Sequence, residues 1–364
     1  MFSELGMTWR RTRALASTSY GVLKRDKFLM AFPALSLLAV AVISVVVWVV
    51  VWATTTGLSV GTVDDPDRWA AEPIVWIGLA ASVLLCTFAA VYFTAALTFG
   101  AWERLQGRTP TFEGCILAAN ARLNVIVPWA ILAGLVGLVI EVLYRLPSIF
   151  RHMQEAGRHI PVVGQFAALG ALIVAFVVET IWYFLTFLVV PILVVEETGP
   201  VSSCKRSFQL FRKTWGKSLI AQVGFDLIGL LIALPGLVLA GLIVLAGWGS
   251  AAAVVVGIGI GVLWLLAVIL AMSAIVGIFK MALYLYATTG EVPGEFQGTG
   301  LEDAFVSRKE RKAGKKALRA KRKDLGANWR NLWTIPDDRF DEYRELYGEG
   351  PNAPTEQDQK PPLN

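Results

Sequence analysis

Two histidines and three cysteines are all that the 364 residues offer for metal or disulfide chemistry. His152 and His159, beside Glu155, lack the one-turn spacing by which zinc-binding helices pair their ligands, so no metal site is expected. Cys86 falls inside a long apolar run, whereas Cys115 and Cys204 fall on the side expected to be cytoplasmic, so no pair is placed to form an external disulfide. A glycine-rich phosphate loop, a serine elbow and paired catalytic carboxylates are missing as well. No catalytic residue and no cofactor are therefore assigned. Charge is also scarce, at 17% of residues against about 25% in soluble domains. That scarcity excludes an ordinary soluble domain.

What is present is hydrophobic sequence, 55% of the chain, gathered into long runs. A bilayer core needs about 20 apolar residues per helix. Six stretches satisfy this: residues 28–53, 73–99, 125–144, 166–195, 219–248 and 251–286. The expected fold class is an all-α polytopic membrane protein with six transmembrane helices in three hairpins. Only Gly247-Trp248-Gly249-Ser250 separates the last two spans, which implies a tight, tilted hairpin. The first apolar run is longer than the 7–15 residues of a signal-peptide core, so a retained anchor is expected.

Lys and Arg placement gives the orientation. Of 33 such residues, 28 flank the spans on one side and four on the other, with Lys280 inside a span. By the positive-inside rule both termini are expected in the cytoplasm, with the protein in the cell (plasma) membrane. The third loop fits this poorly, because it carries Arg145, Arg151 and Arg158.

The chain also repeats itself. Ser19-Tyr20-Gly21-Val22-Leu23-Lys24-Arg25 precedes the first span, and Ser207-Phe208-Gln209-Leu210-Phe211-Arg212-Lys213 precedes the fifth. Between them Pro110-Thr111-Phe112-Glu113-Gly114-Cys115 begins a third amphipathic stretch, with Phe112, Ile116, Ala119 and Leu123 on one face and Arg122 just before the third span. Three modules are expected, each an interfacial amphipathic helix followed by a transmembrane hairpin. In the helix after the fourth span, Val201, Cys204, Phe208, Phe211 and Trp215 form the apolar stripe. Lys205, Arg206, Arg212 and Lys213 lie beside it, as in a helix resting in the headgroup layer.

The exit of the fourth span, Val190-Pro191-Ile192-Leu193-Val194-Val195-Glu196-Glu197, leads into Gly199-Pro200-Val201, Lys205-Arg206-Ser207 and Trp215-Gly216. These residues resemble the signature of an uncharacterised family of six-span prokaryotic membrane proteins. More distantly they resemble the non-catalytic membrane domain of some bacterial glycerophosphodiester phosphodiesterases. The resemblance covers residues 10–290 and implies an architecture more than an activity. In the phosphodiesterases the chemistry resides in a separate barrel, and no segment here is long enough to be one.

Three ionisable residues fall inside spans. Glu179 reads as a neutral acid or helix-packing residue, with a proton path as the alternative. Asp226 and Lys280 fall at equal depth, about 12 Å by helical rise, in antiparallel spans and are expected to pair. Glycines at 229, 236, 241, 257, 259 and 261, with Pro235, predict close packing of that hairpin and a kink.

Domain boundaries are expected at residues 1–27, an amphipathic segment, 28–290, the membrane domain, and 291–364, a charged and partly disordered tail. Residues 308–323, with Lys315, Lys316 and Arg319, hold ten basic residues and one acid, a composition attracted to anionic lipid. Acids dominate residues 337–358. The expected function is a non-enzymatic scaffold or accessory subunit organising lipids or a membrane-protein partner complex at the cytoplasmic face. Lipid is the nearer anion for the basic block, so no nucleic acid is expected. A transporter using Glu179 is the first alternative and a lipid-modifying enzyme the second.

Overall fold

The structure, a computed structural model, describes residues 2–56, 72–155, 163–215, 220–247 and 250–297. All of them belong to the unit Met1–Phe305. The tail with Lys315, Lys316 and Arg319 lies outside the described residues, as does His159. Among the described residues there are ten α-helices and no strand. They are α1 (Phe2–Arg25), α2 (Ala31–Thr56), α3 (Pro73–Leu105), α4 (Phe112–Ala121), α5 (Leu123–Glu155), α6 (Val163–Thr186), α7 (Val189–Glu196), α8 (Pro200–Trp215), α9 (Ile220–Ala246) and α10 (Ala251–Thr289). Short 3₁₀ turns cover Lys27–Met30 and Gly294–Phe296.

Six stretches are long and apolar enough to cross a bilayer, from Lys27–Thr55 to Ala251–Thr289. The chain is an all-α, multi-pass membrane protein. Its hairpins are α2/α3, α5/α6 and α9/α10, and α1, α4 and α8 precede them in turn.

The fourth span departs from expectation because it is broken. Pro191 has no N–H for the carbonyl of Phe187 and its ring crowds that carbonyl, which weakens the helix at that turn. α6 therefore stops at Thr186, and α7 restarts at Val189. The helix of the third span, α5, also runs past its predicted end to Glu155, and Arg145 Nε donates to Glu141 Oε1 at 2.8 Å one turn back. That pairing neutralises part of the basic third loop.

In the last hairpin, α9 continues through Pro235. Trp264 Nε1 donates to the Ile232 carbonyl at 3.1 Å, in the turn that the proline weakens. A Cβ on Gly236 would collide with the Trp264 ring, so glycine is required there. Gly257 likewise faces the Ala240 carbonyl, whereas Gly241 and Gly259 face open space. Small residues thus seat this hairpin internally.

Packing between modules is cyclic. α4 lies on α3, the last helix of the first module; α8 lies on α6 and α7, the end of the second; α1 lies on α10, the end of the third. The repeat is visible in burial: Ser19 and Ser207 are both fully buried, Val22 and Leu210 are buried, and Tyr20 and Phe208 are exposed. α4 follows the pattern with a different face, since Cys115 and Ala119 are buried and Phe112 is exposed, stacked on Phe32 at 5.2 Å.

The main core gathers at this end, where Leu15, Leu23, Leu29, Cys115, Leu188, Ile192 and Phe279 meet. Away from it little is buried: the most apolar windows of the six spans are only 6–33% buried within the protein. The remaining surface is apolar and faces lipid. α10, with 39 residues, is about 58 Å long against a bilayer core of about 30 Å. Its excess lies within the core, where Ala274 to Ala287 are largely buried.

Candidate functional site

The helix ends around this core form a polar collar. Asp26, in the turn between α1 and α2, is 7% exposed and makes a two-pronged ion pair with Arg104 at the end of α3. The start of the first hairpin is thereby fixed to its end. In the second module the charges are reversed: Arg122 at the start faces Glu197 at the end, Nη2 to Oε1 3.1 Å.

Arg122 does more than pair. Its Nε donates to the Val194 carbonyl at 2.6 Å and Nη1 to the Ala118 carbonyl at 3.1 Å, and its guanidinium sits 5.4 Å from the Phe99 ring centroid. One side chain therefore satisfies carbonyls at the ends of α4 and α7 and touches α3. Glu197 adopts a left-handed backbone, φ 51°, rarely occupied by non-glycine residues, and so ends α7 where its carboxylate meets Arg122.

Other bonds join different modules. Glu196 Oε1 accepts from Arg206 Nε at 3.2 Å and from the Tyr284 hydroxyl at 3.0 Å, linking α7, α8 and α10. Arg25 Nη1 contacts Glu295 Oε1 at 2.7 Å, linking α1 to the segment after α10, and Tyr92 donates to Asn120 Oδ1 at 2.8 Å between α3 and α4. Ser207 Oγ accepts from the Leu188 N–H at 3.2 Å, which satisfies a donor at the α6/α7 break. Its repeat counterpart Ser19 has no hydrogen-bond partner for Oγ, because α1 lies against α10, a helix without such a break. Phe296 is fully buried in the core, so residues 291–297, assigned to the tail by composition, pack with the membrane unit.

The collar also encloses a thiol. Burial, aided by the carboxylates of Glu103 and Asp26, pushes Cys115 up to about 12, and burial alone raises Cys204. Both are poor nucleophiles at neutral pH.

The predicted site residues separate. Arg206 is engaged by Glu196, whereas Lys205 is exposed; Arg212 and Lys213 have side chains outside the described residues. Val201 and Phe208 are exposed beside Lys205, while Cys204 and Phe211 turn to the core. Glu179 receives a hydrogen bond from the Tyr144 hydroxyl at 2.5 Å. Tyr144 lies close to Leu146, where the third span ends, so this pair sits away from the collar. Lys280 lies 4.6 Å from the Phe187 ring centroid. The Asp226 side chain lies outside the described residues, but its neighbour Phe225 packs on Phe279 at 4.8 Å, which brings the backbones of residues 226 and 280 to one level. Among the described residues no three His, Cys, Asp or Glu side chains cluster at metal-binding distance.

Sequence reasoning missed the roles of Arg122, Tyr284, Glu196 and Glu197. A signal was present: two acids ending a span on its basic side require cations to meet them. A family of unknown function, DUF6159, matches residues 78–294, more than half of the chain. The chain belongs to this family. No curated protein matches it. The matched stretch contains Arg122, Pro191, Glu196, Glu197, Arg206, Ser207 and Tyr284, so the contacts that close the second module onto the third lie within the family's region.

Proposed function

We propose that this DUF6159 protein is a non-enzymatic membrane scaffold or accessory subunit that organises lipids or a partner complex at its charged face. That face is the cytoplasmic side of the cell membrane, because the basic residues collect there. The observation that carries the reading is the collar itself: the ionic and polar groups around Arg122, Glu196 and Asp26 are turned on one another and bind helix ends. Outward from it point Tyr20, Phe112, Phe208 and Lys205, aromatic and basic groups suited to the headgroup layer. The basic block with Lys315, Lys316 and Arg319 follows in sequence and supplies attraction to anionic lipid. An accessory role also agrees with the distant resemblance to the membrane domain of bacterial phosphodiesterases. The Tyr144 hydroxyl gives the Glu179 carboxylate a hydrogen-bond partner beside the end of the third span, which supports a packing role without a transport role.

The test compares wild type, Glu179→Gln and a tail variant with the basic block neutralised, in proteoliposomes and in mild-detergent pull-down. The proposal expects proton flux at background in all three, Glu179→Gln to keep its partners and lipids, and the tail variant to lose salt-sensitive retention of anionic lipid. Proton flux abolished by Glu179→Gln would replace the scaffold with a transporter. Labelling of either terminus from outside intact cells would refute the orientation.

A further inference from the structure

We draw no further inference here: the strongest candidate, the apolar groove between the first and third hairpins, carries nothing, because Lys280 on its wall already meets the Phe187 ring and nothing else in the structure shows what covers it.

Discussion

Replacing Arg122 by methionine keeps the apolar stem and removes every donor. The wild-type guanidinium makes a hydrogen bond to the Val194 carbonyl at 2.6 Å, one to the Ala118 carbonyl at 3.1 Å, an ion pair with Glu197 and a contact with Phe99. A hydrogen bond from a charged donor to a half-buried carbonyl contributes about 1.5–3 kcal/mol. The Glu197 carboxylate is 58% exposed, so that pair contributes at most about 1 kcal/mol, and the ring contact adds about 0.5–1 kcal/mol. Since these contributions share one side chain they are not independent, and a loss of about 2–4 kcal/mol is expected. Glu197→Gln should cost under about 1 kcal/mol, and Arg122→Lys should fall between, because lysine keeps the charge but loses the planar fork. Denaturant titration in mixed micelles measures all three. If Arg122→Met costs no more than Glu197→Gln, the contacts to the helix-end carbonyls contribute nothing and the collar is not organised around this residue.

Ser207→Ala should destabilise by about 1–2 kcal/mol, since it orphans the buried Leu188 N–H. Ser19→Ala, at the equivalent repeat position, should be neutral or stabilising because its buried hydroxyl has no partner; equal losses in the two variants, read by thermal unfolding, would contradict the difference between α7 and α10. Cys115 gives a pH dependence. Its folded value of about 12 lies above the unfolded thiol's, so the folded state holds a proton that the unfolded state has lost. Stability should be fully present below about pH 8.5 and fall by up to about 1.4 kcal/mol per pH unit above it. Cys115→Ala should flatten that slope in melting curves, and an unchanged slope would assign the alkaline loss to other groups.

The six spans, three hairpins and preceding amphipathic helices were legible because run length and the 3.6-residue period act locally, wherever the chain then folds. Ser19 and Ser207 were matched by pattern alone, and their shared burial follows from that pattern. The break at Phe187-Leu188 was equally local in cause, since Pro191 was in view, yet the run of apolar residues read as one span. Hydropathy does not register a missing N–H.

The partners of the polar residues depended on the tertiary structure. Glu196 meets Arg206 and Tyr284, and Arg122 meets Val194, across separations that no spacing rule spans. The cyclic order, with each surface helix laid on the last helices of the preceding module, decides which charges meet. The cavity between the first and third hairpins, lined by Phe32, Phe225 and Lys280 among others, depends on the same fact. It is shaped by the angle between two hairpins, and an angle between helices is set by the side chains that interlock where they cross, so it exists only once both are packed.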